Sequence, residues 1–469
     1  MLRTIPRPYQ CEAGDRALAH PGFALFPQQR TGKCLISLYV VDKRKPDVLV
    51  IVCPKKAIRV WKEQLKDHLK FDWDCEKVII HYEGMCRNAK DRRWWRKRFR
   101  ETWAGKKVFI IVDEGHRIKG RGSLQSSMLR SVGRYCAYRL LLTGTPVDKV
   151  REDSWALFDF IQPGALEDTY EEFSDMYLEM ESIRLKRSYF KEKPGPRDFY
   201  KKVTGYRNNK RFLRIFHKYS YRITLREAQK RSGRRPYIAT RRVVGFELKP
   251  ETRRVYNELL TELKAEVRKK HVSTPLVVTL VSKLQQLTGG FLIHTEQVYG
   301  PDDLPVLTPR GKPKIVRTII PVGREKLIEL RKLISRYPRR KKLVICVMYR
   351  HEIERIGRQL EKLGRSWKMI AGGQGFDGRF DTDTVVMQIA SGEAIDLSKA
   401  KNFIMYSWNH SNIKHEQAMF RILAFISTRV NFIYLMADDS VDHDIYAAVT
   451  KKIKVTRLVI DKYRYRKRA

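Results

Sequence analysis

The chain has 469 residues, 42% of them apolar, which is enough for two or three domains with a substantial core. Lys and Arg number 96 against 52 Asp and Glu, a formal charge of +44. Solubility needs far less, so the surplus argues for a polyanionic partner, since phosphate backbones attract basic surfaces and release counterions on binding. Seven cysteines include no CxxC pair, which gives neither a disulfide framework nor a zinc site. A reduced, cytoplasmic setting is expected. Met1 to Gln10 shows no signal-peptide pattern, and no apolar stretch approaches the ~20 residues that span a bilayer. No membrane partner is expected.

Residues 1–150 alternate short apolar runs with charged, helix-patterned segments. The runs are Gly22–Phe26, Val48–Cys53, Lys77–Ile80, Lys107–Val112 and Arg139–Leu142. Buried runs separated by helices predict a parallel sheet with crossover helices. Residues 151–310 are rich in Arg, Lys, Tyr and Phe and mostly helical in pattern, with a Pro-rich polar stretch, Pro301 to Pro313, as a linker. Residues 311–450 return to the first rhythm, with strands predicted at Lys342–Met348, Val385–Ile389, Asn402–Tyr406 and Phe432–Met436. Residues 451–469 form a basic tail.

The first predicted strand runs into Pro27-Gln28-Gln29-Arg30-Thr31-Gly32-Lys33-Cys34, then a helical pattern from Leu35. A strand, a tight loop and a helix start aim backbone N–H groups and a helix dipole at one anion. Lys33 can reach the β and γ phosphates of a nucleotide, and Gly32 lets the chain pass close. The string departs from the full phosphate-loop pattern at Pro27, where Gly is usual, and at Cys34, where Ser or Thr is usual. The fourth run ends in Asp113-Glu114-Gly115-His116. That places two carboxylates at the carboxyl edge of the sheet, where open α/β sheets bind ligands. Asp113 can hold Mg²⁺ and Glu114 can orient and deprotonate a water.

With these motifs in order, the chain resembles superfamily-2 helicases of the Swi/Snf type, especially compact forms like those of phages. Arg7-Pro8-Tyr9-Gln10 resembles the adenine-reading Q motif. Val52-Cys53-Pro54, with Trp61 and Gln64, resembles motif Ia, and His81-Tyr82-Glu83 the next DNA-contacting motif. Asp113 to His116 resembles the Walker B box, and Leu142-Thr143-Gly144-Thr145-Pro146 motif III. Glu152 to Phe173 and Leu284 to Leu292 resemble the two ends of the Swi/Snf helical insert. Lys342 to Tyr349 resembles motif IV, Ala390 to Leu397 motif V, and Ser407-Trp408-Asn409 with Glu416, Gln417 and Arg421 the approach to motif VI.

The resemblance implies an α/β fold of two RecA-like parallel-sheet domains in tandem, residues 1–150 and 311–450, with a helical insertion between them. It implies ATP and Mg²⁺, with Gln10, Arg30, Thr31, Gly32, Lys33, Cys34, Asp396 and Gln417 at the nucleotide. Lys33, Asp113, Glu114 and Arg421 would be catalytic, Arg421 acting on the γ phosphate. Mg²⁺ is expected on Asp113 with Cys34 beside it. Pro54, Tyr82, Thr143, Thr145 and Trp408 would face nucleic acid. Duplex DNA is the preferred partner, single-stranded DNA a second, and replication, recombination or repair proteins further ones. The setting would be the host-cell cytoplasm for a viral chain.

Three departures bear on hydrolysis, one of them Arg30 at a loop position that glycine usually holds in the family. Cys34 replaces the hydroxyl residue that ligates Mg²⁺ in the family, and a thiol is a poor ligand for a hard cation. Ala424 stands where the second arginine of motif VI is usual. The implied function is an ATP-dependent DNA translocase or helicase. The alternative is a DNA-binding protein that binds ATP with weak or no hydrolysis. Basic and aromatic residues interleave between Ile183 and Arg242, including Arg187, Tyr189, Lys191 and Tyr200, and again at Lys462 to Arg468; both runs suit phosphates and stacked bases. Each has a plainer reading as a solvated charged face. His116 is left open between coupling and capping.

Overall fold

Apolar runs such as Val48–Cys53 and Val108–Val112 are buried on every residue, the signature of parallel strands covered on both faces. The computed structural model describes residues 1–144, 151–184, 199–269, 272–300, 304–308, 311, 313–372, 380–391, 395–451 and 455–464. Its strands in chain order are β1 (Gly22–Leu25), β2 (Val48–Cys53), β3 (Glu76–His81), β4 (Val108–Asp113), β5 (Tyr138–Leu142), β6 (Leu178–Arg184), β7 (Phe199–Tyr206) and β8 (Ser220–Tyr221). They continue with β9 (Ile238–Phe246), β10 (Phe291–Gln297), β11 (Ile315–Pro321), β12 (Leu343–Val347), β13 (Trp367–Ile370), β14 (Thr384–Gln388), β15 (Asn402–Met405) and β16 (Arg429–Ala437). The chain divides into two compact units, Met1–Pro236 and Tyr237–Ala469.

The first unit holds a six-stranded parallel sheet in the order β3-β2-β4-β5-β1-β8. The second holds another, β13-β14-β12-β15-β16-β9, also parallel throughout. This is the tandem α/β architecture expected. Every strand predicted from an apolar run is present, within a few residues at its ends. Residues 151–310 contribute to both units. Helices Ser154–Ile161, Tyr170–Tyr177 and Asn209–Lys218 bury Trp155, Phe158, Phe173, Tyr177, Phe212 and Phe216 in one cluster with Val50, Val52 and Ile110 of the first sheet. Helices Pro250–Arg268 and Thr274–Thr288 belong to the second unit.

The segment also contains strands that its helical pattern did not announce. β6 and β7 pair as an antiparallel ribbon, and β9 is the outer strand of the second sheet. β10 and β11 pair over seven residues, so the stretch expected as a linker connects two hydrogen-bonded strands. In the basic tail, Val455–Arg464 is helical, and Lys462 ion-pairs with Asp444 at 2.6 Å. Arg187, Tyr189, Lys191 and residues 465–468 lie outside the described residues.

One charged pair is sealed into the second unit. Lys326, on helix Glu325–Ser335, donates to Asp442 at 2.9 Å, and both side chains are at most 1% exposed. Asp442 also accepts from the Thr288 hydroxyl at 3.1 Å and the Ala437 N–H at 3.2 Å. Removing one partner of such a pair leaves the other charge stranded, at a cost of about 3–5 kcal/mol. Lys326→Met is therefore expected to lower the unfolding free energy of the second unit by about that amount, seen as a lower denaturant midpoint. The measurement is urea unfolding, and a loss below about 1 kcal/mol would refute the assignment.

Candidate active site

The register of three neighbouring strands builds the site. Leu25 at the end of β1 lies beside Leu142 of β5, and Leu142 lies beside Asp113 of β4. The segments that leave these strands therefore emerge together at the carboxyl edge of the first sheet, the usual ligand edge of an open α/β sheet.

The loop after β1 is shaped by two left-handed residues, Arg30 at φ 69° and Gly32 at φ 81°. Gly32 caps helix Lys33–Arg44. Glycine is required there twice over: the positive φ favours it, and a Cβ would fall 2.3 Å from Gln10 Nε2. Gln10 is fully buried beneath the loop. Its amide donates to the Thr31 carbonyl at 3.0 Å and accepts from the Arg7 N–H at 2.8 Å. The Tyr9 hydroxyl reaches the same Thr31 carbonyl at 2.7 Å. Thr31 donates to the Gln28 carbonyl at 2.6 Å, and Lys33 Nζ to the Pro27 carbonyl at 3.3 Å. A Cβ built on Gly144 would lie 3.1 Å from that ammonium, so the segment after β5 passes directly beside the Lys33 charge.

Asp113 is held from two sides. Trp61, on helix Ile58–His68, donates its indole N–H to Oδ2 at 2.9 Å, and the Glu114 N–H donates to Oδ1 at 2.9 Å. Burial first, and the neighbouring Glu114 charge second, push the Asp113 carboxyl up to about 6, against the opposing pull of Trp61 and Lys33. Glu114 itself takes a left-handed backbone, φ 52°, and its carboxylate lies 3.4 Å from His116 Nδ1. The same histidine nitrogen is 3.2 Å from the Thr143 hydroxyl, which links the ends of β4 and β5. The Cys34 thiol is pushed up to about 12 by burial and by Asp113, so it stays protonated at neutral pH.

These groups suit a nucleotide and a hard cation. A helix N-terminus with Lys33 beside it can take phosphate oxygens. Two adjacent carboxylates can take Mg²⁺, which is ordinarily bound through one or two carboxylates plus phosphates and waters. Among the described residues no cluster of three or more His, Cys, Asp or Glu forms a complete metal cage. Cys34 does not fit as a ligand, being a neutral thiol.

The structure thus brings Gln10, Arg30, Thr31, Gly32, Lys33, Cys34, Asp113, Glu114 and Thr143 to one sheet edge. Asp396, Gln417, Arg421 and Trp408 are carried by the second unit. There the Leu397 N–H donates to the Arg421 carbonyl at 3.0 Å, which joins the segment of Asp396 to the turn of Arg421. The Ala424 N–H is capped by the Ser427 hydroxyl at 2.8 Å. Four residues assigned to nucleic acid face the interior. Pro54 is buried, Tyr82 donates its hydroxyl to the Asp113 carbonyl, and Thr143 is buried against His116. Trp408 stacks on His415 and Tyr434 with no exposed surface. What these side chains offer in this placement is support for the loops. Thr145 and Pro146 lie outside the described residues, as do 392–394. Trp61 is the residue whose part at the carboxylate the motif reading did not specify. Its signal was a large ring in a helix otherwise dominated by charge.

The SNF2-related domain family matches residues 32–288, more than half of the chain, beginning in the phosphate loop. The chain belongs to the SNF2-related domain family. Among curated relatives of this Swi/Snf-type chain, the chromatin-remodeling ATPase INO80 of Debaryomyces hansenii is 31% identical over 156 residues, 27% of this chain and 11% of the relative. The DNA excision repair protein ERCC-6-like of Bos taurus is 28% identical over 130 residues, 28% and 10% of the two chains. The match therefore spans about a tenth of the length of these relatives. The SWI2/SNF2 ATPase core of Sulfolobus solfataricus in complex with dsDNA aligns over 96% of this chain and 92% of that one, with 18% identity and a TM-score of 0.40.

Because its folded carboxyl sits above the ordinary carboxylate value, Asp113 favours the protonated form. The stability this gives is complete below about pH 4 and is lost as pH rises through about 6. A divalent cation needs the ionised form. Mg²⁺-dependent nucleotide affinity is thus expected to fall about tenfold per pH unit below about 6. Titration of a fluorescent ATP analogue across that range checks it; a flat profile would contradict the burial of Asp113. Glu114→Gln removes the like charge and is expected to lower the pH at which this loss sets in.

Proposed function

We propose that this chain hydrolyses ATP and couples hydrolysis to movement along duplex DNA. The observation that carries the reading is the convergence of Lys33, Asp113 and Glu114 at one sheet edge inside the SNF2-related match. The charge of +44 supports a polyanionic track. The names of the relatives, a chromatin-remodeling ATPase and a DNA excision repair protein, support the same class.

In this reading the N-terminal N–H groups of helix Lys33–Arg44 and the Lys33 ammonium hold the phosphates. Gln10 and Tyr9 fix the Thr31 carbonyl and so hold the loop in its left-handed shape. Asp113, oriented by Trp61, would hold Mg²⁺, which when bound supplies charge neutralisation on the phosphates. Glu114 accepts a proton from the attacking water, with His116 beside its carboxylate. The role of Arg421 rests on the family resemblance, and Arg421→Ala tests it by loss of turnover with ATP affinity retained.

Cys34 favours a second reading, a DNA-binding protein that binds ATP and hydrolyses it slowly. A protonated thiol offers the cation little, and Ala424 removes the usual second arginine. Steady-state ATPase assays with and without duplex DNA separate the two. The motor reading expects duplex to stimulate turnover; no turnover in either condition, with DNA binding retained, favours the second. Lys33→Ala is expected to abolish turnover, and unchanged turnover would refute the loop assignment. Cys34→Thr is expected to raise the rate. Glu114→Gln is expected to cut turnover by about 10²–10⁴-fold while ATP still binds.

A further inference from the structure

The second unit carries a cavity of about 540 Å³ that the proposed nucleotide site does not use. Among the described residues, Arg340, Lys341, Lys342, Lys399 and Lys401 line it, and no carboxylate does. Lys341 and Lys342 lead into β12, and Lys401 leads into β15. Asn402 of β15 and Asn431 of β16 complete the wall. β12, β15 and β16 are consecutive in the sheet and parallel, so the cavity sits at their amino ends. The segments of Tyr349 and Ser407 leave the opposite edge.

Five cations around one concavity repel one another, and no described residue of the wall carries a compensating negative charge. Asp381, the carboxylate that feels Lys342, is engaged by Lys368 at 2.6 Å. Lys342 is itself held, donating to the Thr382 carbonyl at 2.8 Å with its ammonium 4.8 Å from the Phe380 ring centre. The asparagines are a second, independent observation. Their neighbours along the strands are Phe403, Ile404, Phe432 and Ile433, all buried. Asn402 is buried too, and accepts from Asn431 Nδ2 at 2.8 Å. Its own amide nitrogen is not among the enclosed side-chain atoms left without a partner, so it is not sealed away from a ligand in the cavity. An amide N–H that lines a cavity can donate to an acceptor that enters it. Fixed N–H donors ringed by flexible cations match phosphate oxygens.

We propose that this cavity seats backbone phosphates of duplex DNA, a contact at the edge of the second sheet remote from its motif-bearing ends. It deepens the DNA-acting reading and rests on it.

The test uses the full chain. Arg340, Lys399 and Lys401 are exposed, and the triple variant Arg340→Ala, Lys399→Ala, Lys401→Ala is expected to fold normally, which a thermal melt verifies. A control triple, Arg254→Ala, Arg268→Ala, Lys283→Ala, removes the same charge from exposed positions on two helices of the same unit. Binding of a short labelled duplex is followed against salt. The cavity variant is expected to bind about tenfold more weakly and to flatten the log–log salt slope by about 0.9 for each phosphate that is no longer neutralised. The control should change neither to that degree, and ATP affinity without DNA should be unaltered in both. Equal effects of the two triples would overturn the cavity assignment. So would loss of inorganic tripolyphosphate binding with duplex binding intact, which would make the ligand a free polyphosphate. Failure of the unaltered protein to bind duplex would instead bring down the DNA-acting reading as well.

Discussion

A carboxylate at the end of a fully buried strand needs donors on both oxygens, and Asp113 draws them from two elements. One is the backbone of the turn it begins; the other is the indole of Trp61, 52 residues earlier in the chain. Even so, burial and Glu114 hold its carboxyl near 6. Much of the first unit can be understood as keeping that group in place. Tyr82 fixes its carbonyl from below, and His116 ties the following turn to Thr143. The arrangement is local, confined to the turn after β4 and the helix that carries Trp61. Arg30 and Glu114 add left-handed backbone to the same few loops.

Most of this was legible in the sequence wherever burial was uniform. β2 is apolar along its whole length and β4 is apolar up to its last residue, Asp113, so their positions and their parallel setting follow from composition. β9 was not legible. It lies at the sheet edge, and its Arg241-Arg242-Val243 stretch is solvent-facing, so no apolar run marks it. β13, with Trp367 and Met369 only half-buried, is hidden for the same reason. At the site, chain-local signals worked well: Gly32 before Lys33, and Asp113 after five apolar residues. Side-chain direction did not follow from motif order. Tyr82 and Trp408 sit in strings that resemble nucleic-acid motifs, yet both rings point inward, because one aromatic serves packing as readily as contact. The long-range donation from Trp61 needed three dimensions.

The two sheets distribute charge differently. In the first, carboxylates gather at the strand ends where Lys33 also lies. In the second, cations gather at the opposite ends of the strands, and the interior carries a sealed Lys326–Asp442 pair that offers nothing to a ligand. The net positive charge of the chain is therefore not a uniform coat. Part of it is organised around a concavity whose wall also contains amides, which composition alone could not have distinguished from a solvated face.

The chain leaves the first sheet after its outermost strand, β8, and enters the second through another outermost strand, β9, with the boundary between Pro236 and Tyr237. Each of the two compact units is thus one uninterrupted stretch of this chain. A reading frame divided at that single codon junction would remove no inner strand from either sheet, and an insertion there would lengthen a connector without breaking a ladder. The same layout lets either half be exchanged or duplicated by recombination as an intact piece.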